Sequence, residues 1–183
     1  TVPPALLAAL DDLAPPAGLA AAAVRMSQRY RADGGLGGDA LADDDERLAY
    51  ALVRMPATTA AVADALARCP ERPWRSLLDL GAGCGAGAWA AAWRLPELAA
   101  VTAVERDPGL IDLGRRLADD VAWLRGDLLA PPELPTHDLV LFSYSLGELP
   151  ADRRDGLLDW AWAHAGDGLL IVEPGTPRGD QQP

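Results

Sequence analysis

Two carboxylates and three closely spaced glycines are the residues of this sequence whose types and spacing could hold a ligand. Gly81, Gly83 and Gly85 alternate directly after a short apolar run of strand length, and glycine permits a sharp turn with no Cβ in the way of a bound molecule. Asp79 lies two residues before the first of these glycines, and Glu105 ends the next apolar run along the chain. A strand, a glycine loop and a helix form the opening unit of a nucleotide-type site at the carboxyl ends of parallel strands.

Two classes of ligand compete for this loop. As G-x-G-x-x-G/A, the residues Gly81, Gly83 and Ala86 fit a dinucleotide site, and Glu105 lies 19 residues beyond Ala86, near the expected acid for a ribose hydroxyl. Asp79 argues against a pyrophosphate, because a carboxylate at that position suits a cationic ligand better. The pattern Asp-x-Gly-x-Gly-x-Gly, with Glu105 closing the next strand, resembles the motif pair of class I S-adenosylmethionine-dependent methyltransferases. We therefore favour S-adenosylmethionine as the cofactor, with S-adenosylhomocysteine as its product, over a dinucleotide.

The composition predicts a globular chain. Its 183 residues are enough for one domain with a substantial core or for one domain plus a small helical annex, and 50% of them are hydrophobic and 23% charged. No apolar run approaches the roughly 20 residues of a membrane helix, and the start has no basic segment followed by an apolar one. We expect a cytoplasmic protein with no membrane contact.

The charge balance bears on the partners. A net charge of −11 gives no overall electrostatic footprint for nucleic acid, so an RNA substrate would have to meet a local basic patch. The candidate cluster outside the core motifs is Arg25, Arg29, Arg31 and Arg54, for which solvated helix faces are the simpler interpretation.

The cysteines predict no metal site. Cys69 and Cys84 are too few and too poorly spaced for a zinc site or a disulfide framework. Cys84 lies inside the glycine loop, where a small buried filler is the preferred interpretation over a reactive thiol.

The first part of the chain, residues 1–70, is predicted to be an all-helical segment. Residues 3–31 form two helical pieces broken by a pair of prolines, and the glycine-rich stretch 33–39 is a flexible connection. Asp43, Asp44 and Asp45 cap a helix that runs through Arg54. The predicted continuation is that Pro56 stops or kinks this helix, Thr58 or Thr59 caps the next, and that helix occupies residues 60–68.

From residue 71 to 174 the pattern alternates between strands and helices, which is typical of a Rossmann-like parallel α/β sheet. The predicted strands are 76–80, 101–105, 121–125, 137–143 and 169–173, and the predicted helices are 86–95, 108–118 and about 151–165. We predict the strand order 3-2-1-4-5, in which the coil 126–136 crosses three inter-strand gaps. Residues 175–183 read as a loose tail.

Two further strands of a complete class I methyltransferase sheet are missing after the fifth strand. The fifth strand would then be an exposed edge, which calls for a second copy of the chain or a missing C-terminal segment. We expect the chain to be a fragment of a longer protein.

Individual roles follow from the ligand's chemistry, which needs close backbone, a ribose clamp and an adenine slot. Glu105 is expected to accept from both ribose hydroxyls, and Leu110 with Arg106 to flank the ring. For Asp127, contact with the adenine amine competes with a turn in which Asp127 bonds its own backbone. The predicted cofactor-binding residues are Asp79, Gly81, Ala82, Gly83, Gly85, Glu105, Arg106, Gly126, Asp127, Leu128 and Ser143.

The loop after the fourth predicted strand faces the transferred methyl group in this fold. Its polar groups Ser143, Tyr144 and Glu148 are therefore the candidate catalytic residues, although none is an obvious general base. His137, which opens a strand, and His164, which ends a helix, are weak candidates.

Four stretches together resemble one family: residues 48–58 with Arg-Met-Pro-Ala-Thr, the glycine loop, residues 142–149, and residues 172–177 with Glu-Pro-Gly-Thr-Pro. They are similar to the methyltransferase-like family associated with the mitochondrial small ribosomal subunit, which has bacterial relatives, and the match spans residues 45–178. The resemblance implies S-adenosylmethionine binding and a role in modifying or assembling the small subunit, through rRNA methylation or through contacts with rRNA and ribosomal proteins. A non-catalytic assembly factor that binds the cofactor is the alternative. The family's cysteine-bearing metal region lies past the end of this chain, and Cys84 stands where relatives often have proline.

Overall fold

The structure is a computed structural model that describes residues 1–32, 41 and 43–175, and of residues 29–32 the backbone only. Five parallel strands form one sheet in the order β3-β2-β1-β4-β5. Their bounds are β1 Ser76–Leu80, β2 Ala100–Glu105, β3 Val121–Arg125, β4 His137–Ser143 and β5 Ala165–Val172. The sheet confirms the predicted fold class and strand order. The predicted glycine-rich connection 33–39 and residues 176–183 of the predicted tail lie outside the described residues.

The seven helices described, including two that precede residue 33, surround this sheet. Their bounds are α1 Pro4–Asp11, α2 Leu19–Ala32, α3 Asp44–Ala49, α4 Met55–Leu66, α5 Ala86–Arg94, α6 Pro108–Leu117 and α7 Ala151–His164. A coil joins β3 to β4 across β2 and β1, as predicted for residues 126–136.

The central strand β1 is buried on both faces, which explains its nearly continuous apolar sequence. Leu77 packs in a cluster with residues of α4 and α5, such as Val62 and Ala90. Leu78 points to the opposite side and packs in a cluster with Leu157 of α7. Helices therefore cover both faces of β1 and hold its carboxyl end in a fixed position.

The helical leader, by which we mean α1 to α4, shares a hydrophobic core with the sheet domain. Leu6 and Met26 of the leader belong to one buried cluster with Cys84 of the glycine loop and Leu113 of α6. The predicted division at residue 70 thus does not divide the core, and a separate helical segment stays a prediction.

Pro56 was predicted to stop or kink the helix; it does not stop it, and the prediction that Thr58 or Thr59 caps a new helix is wrong. A π-helical turn, Tyr50–Arg54, joins α3 to α4 without a break, and the Met55 backbone N–H reaches back to the Tyr50 carbonyl. Pro56 then lies at the start of α4, directly after the π-helical turn. Thr59 is fully buried inside this helix.

The prediction that β5 begins at residue 169 is also wrong. Helix α7 ends at His164 and β5 starts at Ala165 without a loop, so Gly166 and Gly168 are part of the strand. Among the described strands, β5 lies at an edge of the sheet, with Ile171 40% exposed. The exposed edge was predicted, and its partner stays a prediction.

Candidate functional site

The glycine loop turns sharply between β1 and α5, as its sequence predicts. Gly81, Gly83 and Gly85 have φ values of 71°, 58° and 98°, a region that favours glycine. The backbone N–H groups of Gly81 and Ala82 both donate to the carbonyl of Val104 in β2, at 2.9 and 3.0 Å. The loop is therefore fastened to the neighbouring strand at the carboxyl edge of the sheet.

Protein side chains fill the space beside each of these glycines. A Cβ on Gly81 would lie 2.5 Å from the Cβ of Ser145, and one on Gly83 would lie 3.3 Å from the hydroxyl of Tyr50. A Cβ on Gly85 would lie 3.4 Å from the ring of Trp123 in β3. Packing against Ser145 thus requires glycine at position 81, while the positive φ favours glycine at all three positions. These three partners could not be predicted from the sequence, because the contacts join distant parts of the chain.

Asp79 is completely buried beneath the first turn of α5. Neither of its carboxylate oxygens has a hydrogen-bond partner of normal geometry within the described residues. Burial raises the pKa of Asp79 to about 7, the backbone N–H of Ala88 lowers this pKa, and the nearby charge of Glu105 raises it further. A buried carboxylate without a partner is costly, so a cationic group nearby would stabilise its charged form.

Glu105 lies at the carboxyl end of β2 and points to the glycine loop. Its Oε2 accepts from the backbone N–H of Gly83 at 2.9 Å, and its Oε1 accepts from Arg106 and Asp107 at 2.8 and 2.9 Å. Burial raises the pKa of Glu105, while these three backbone donors oppose the rise. Asp79 and Glu105 thus lie at the same edge of the sheet, on neighbouring strands, within electrostatic reach of each other.

The segment predicted to bind adenine follows β3. Asp127 makes the alternative turn, in which its Oδ1 accepts from the backbone N–H of Leu129 at 2.9 Å. Gly126 donates its N–H to the Glu105 carbonyl at 3.0 Å, and Leu128 lies beside Gly81. This segment is next to both the loop and Glu105, and its contact with adenine stays a prediction.

Two residues predicted to flank the ring differ from each other. Leu110 is buried in the cluster that joins α6 to the leader, so its side chain serves packing. Arg106 is exposed, and its backbone N–H is bound to Glu105.

The loop after β4 holds the three candidate catalytic residues in a constrained conformation. Tyr144 has φ 61°, the one positive φ at a residue other than glycine in the described part of the chain. Its backbone N–H donates to the Val172 carbonyl of β5 at 2.8 Å. The hydroxyl of Ser145 donates to the Leu80 carbonyl at 2.6 Å, which fixes the loop to the end of β1. Ser145 thus lies against the glycine loop, while Ser143 is buried at the end of β4 and Glu148 ends a short 3₁₀ turn farther along the chain.

Both histidines make contacts within the fold. The His137 ring lies between the Pro135 carbonyl and the Thr102 hydroxyl, both at 2.9 Å. His164 contacts the Trp160 carbonyl at 2.7 Å within α7. Among residues 1–32, 41 and 43–175, no group of three or more His, Cys, Asp or Glu side chains could hold a metal ion.

Of the predicted basic cluster, the side chains of Arg29 and Arg31 lie outside the described residues. Arg25 pairs with Glu46 at 3.4 Å, which supports a structural role.

In the part of the chain that the structure covers, no helix combines the length and apolar character needed to cross a bilayer.

A parallel sheet of order 3-2-1-4-5 with a glycine loop after β1 and an acid closing β2 defines the Rossmann-like class I methyltransferase fold. The chain belongs to the Rsm22 family, described as "Mitochondrial small ribosomal subunit Rsm22", whose model matches residues 44–182.

Several known proteins share parts of this chain. Release factor glutamine methyltransferase of Escherichia coli is 44% identical over 71 residues, which are 39% of this chain and 25% of that protein. One similar structure is that of S-adenosylmethionine-bound CalS10, an amino pentose methyltransferase from Micromonospora echinaspora. It aligns with a TM-score of 0.54 and 26% sequence identity, and the alignment covers 68% of this chain and 52% of CalS10. Human N-acetylserotonin methyltransferase shares the fold at 18% identity, with a TM-score of 0.65 over 88% of this chain and 51% of its own. The chain spans about a quarter of that curated relative and about half of those two solved proteins.

Proposed function

We propose that this protein binds S-adenosylmethionine at the carboxyl ends of β1 and β2 and transfers its methyl group to small-subunit rRNA or to an assembly intermediate of the small subunit. The observation that carries the proposal is the fully buried carboxylate of Asp79, which has no well-formed hydrogen bond and lies beneath the glycine loop. A cofactor with an ammonium group and a positively charged sulfur would stabilise this carboxylate in its charged form.

The same carboxylate argues against a dinucleotide. A pyrophosphate approaching the first turn of α5 would place two more negative charges near Asp79 and Glu105, and the charge of Glu105 already raises the pKa of Asp79. The helix N-terminus favours anions, but here that end already lies over a buried carboxyl. The charge distribution therefore supports S-adenosylmethionine over a nicotinamide cofactor.

We assign different parts of S-adenosylmethionine to different residues at this edge of the sheet. Glu105 carries an acceptor carboxylate at the strand end, where a ribose would lie against the loop. Asp127 and Leu128 border the loop on the β3 side and are the adenine candidates. Gly81, Ala82, Gly83 and Gly85 provide the tight backbone between them.

The acceptor side is assigned to the loop after β4. When bound, S-adenosylmethionine supplies a methyl group on a positively charged sulfur, which a nucleophilic acceptor atom can take directly. Ser143 and Tyr144, at the end of β4, would orient that acceptor, and Glu148, in the 3₁₀ turn that follows, would accept a proton from it.

A non-catalytic assembly factor that retains the cofactor site is the second candidate. It is favoured by the engagement of both histidines in structural contacts and by the net charge of −11, which gives RNA little overall attraction. The link to the small ribosomal subunit rests on the family's description. A cytoplasmic location and contacts with rRNA or ribosomal proteins are part of both proposals.

Two measurements test the proposal. Calorimetric titration with S-adenosylhomocysteine and with NAD should give binding of the first alone, and binding of NAD alone would overturn the cofactor assignment. Labelled methyl transfer from S-adenosylmethionine to small-subunit particles should then give incorporation into rRNA. Tight cofactor binding without any incorporation would favour the assembly factor.

A further inference from the structure

Two residues at the end of α3 and the start of the π-helical turn lie near the two ends of the hydrogen bond between Glu105 and Gly83. No sequence motif singles out either residue. Arg47 and Tyr50 are three positions apart across the end of α3 and the start of the π-helical turn, so they project from the same side of the helix. Tyr50 lies against Gly83, and Arg47 lies against the residues that follow Glu105.

Arg47 binds Asp107 with both oxygens of the carboxylate. Its Nε lies 3.0 Å from Oδ1 and 3.0 Å from Oδ2, and its Nη1 donates to Asp44 at 2.9 Å. The side chains of Arg47 and Asp107 are only 20% and 21% exposed, so water screens this pair less than a surface ion pair. Arg47 is therefore held at the first turn of α6 by a two-oxygen contact.

A glycine makes room for this contact. A Cβ on Gly109 would lie 2.5 Å from the Nε of Arg47 and 2.6 Å from its Cδ. The first turn of α6 thus has a notch that the arginine fills. This space is a second observation, separate from the ion pair. It indicates that the first turn of α6 is shaped to accept the Arg47 side chain.

Asp107 transmits this contact to Glu105. It caps α6 by accepting from the backbone N–H of Gly109 at 2.8 Å, while its own backbone N–H donates to the Oε1 of Glu105 at 2.9 Å. Glu105 in turn accepts from Gly83 through Oε2. A continuous set of contacts therefore runs from Arg47 through Asp107 and Glu105 to Gly83. The side chain of Tyr50, which also belongs to the leader side of the site, packs against Gly83.

We propose that Arg47 is a positioning residue that orients the Glu105 carboxylate for the ribose of the methyl donor, with Tyr50 holding the glycine loop at the other end of the same hydrogen bond. This inference rests on the proposed function. If Arg47 has this role, the helical leader is part of the S-adenosylmethionine site. A truncated chain beginning at β1 would then lack the arginine that orients Glu105 toward the ribose.

The test measures the affinity of the full chain for S-adenosylhomocysteine by calorimetry. R47Q removes the charge and the two-oxygen contact and should weaken binding about tenfold, whereas R47K keeps the charge but not the two-oxygen contact and should recover the affinity only in part. R68Q removes an exposed ion pair with Asp64 at 2.7 Å in α4 and should bind as the wild type does. Thermal unfolding of each variant establishes that it is folded at the temperature of titration.

A double-mutant cycle separates positioning from general stability. If Arg47 acts through Glu105, R47Q should have almost no further effect on affinity in an E105Q background. A ligand lacking the ribose hydroxyls, 2′,3′-dideoxy-S-adenosylhomocysteine, should bind wild type and R47Q equally. Additive losses in the cycle, or an equal loss for both ligands, would overturn the positioning role. Wild-type affinity in R47Q would overturn it as well, while failure of the wild type to bind S-adenosylhomocysteine would overturn the proposed function itself.

Discussion

Asp79 and Gly87 are in contact so close that Gly87 can have no side chain: a Cβ there would lie 2.5 Å from the Oδ2 of Asp79. The same Cβ would lie 2.7 Å from the Cδ2 of Leu141 in β4. The first turn of α5 is thereby packed directly onto the buried carboxyl of β1. This packing keeps water away from Asp79 and accounts for its raised pKa.

Replacing Gly87 with alanine should therefore destabilise the protein. The added methyl group cannot be accommodated without displacing Asp79 or the helix, and overpacking of this kind costs about 1–3 kcal/mol. Urea unfolding of G87A measures the loss. G156A in α7 is the matched control, because nothing lies within 4 Å of the added Cβ, and it should be as stable as the wild type or more so by about 0.5–1 kcal/mol. A G87A protein as stable as G156A would contradict the packing of Asp79 under α5.

The stability should depend on pH through Asp79. Its folded-state pKa of about 7 is above the ordinary value of 3.8 that we take for the unfolded chain, so between these pH values the folded protein holds a proton that the unfolded chain has lost. The free energy of unfolding should then fall as the pH rises from about 4 to about 7, by up to about 4 kcal/mol. D79N removes the titrating group and should flatten this dependence, so that it becomes the more stable protein above about pH 7. D159N, an exposed position of α7, controls for the loss of one acid; the same pH dependence in wild type and D79N would refute the assignment.

The backbone of Tyr144 should be strained, and its side chain should contribute to methyl transfer. A residue with a side chain at φ 61° pays roughly 1–2 kcal/mol relative to the common conformations, and glycine does not. Y144G should thus unfold at a higher denaturant concentration than Y144F, while its methyl transfer falls and its affinity for S-adenosylhomocysteine stays unchanged. If Y144G kept full transfer activity, the side chain would have no part in orienting the acceptor.

Cys84 should be chemically inert in the native protein. Burial raises the pKa of its thiol to about 12, and its sulfur lies 3.4 Å from that of Met55. A thiol reagent at neutral pH should modify the half-buried Cys69, slowly because burial also raises its pKa, and leave Cys84 unmodified until the chain is unfolded. In a C69S variant no thiol should react natively and one should react in guanidinium. Native labelling of C69S would show that the leader does not cover the glycine loop.

Much of the sheet domain could be predicted from the sequence because its signals are local. The bounds of β1, β3 and β4 agree with the apolar runs at 76–80, 121–125 and 137–143, and the capping of α3 by Asp43 follows from residue type. The start of β5 could not be predicted in this way. Gly166, Asp167 and Gly168 have turn composition, but pairing with β4 makes them a strand, so tertiary contacts override local preference.

The candidate site shows the same division. The glycines, Asp79 and Glu105 are visible as a motif within 27 residues of sequence, counted from 79 to 105, and the structure brings them to one edge of the sheet. Arg47 and Tyr50 could not be found, because their partners lie 60 and 33 positions away, from 47 to 107 and from 50 to 83. Nor could the π-helical turn, since its sequence is ordinary helix up to Pro56.

The most direct test of the account is the affinity of wild type and E105Q for S-adenosylmethionine, measured by calorimetry under one set of conditions. Loss of the charged acceptor should weaken binding by about 1.5–3 kcal/mol, because hydrogen bonds from a ribose to a carboxylate are charge-assisted. R68Q serves as the unaffected control. An E105Q protein that binds S-adenosylmethionine as tightly as the wild type, or a wild type that does not bind it, would contradict the claim that these two strand-end acids form a methyl-donor site.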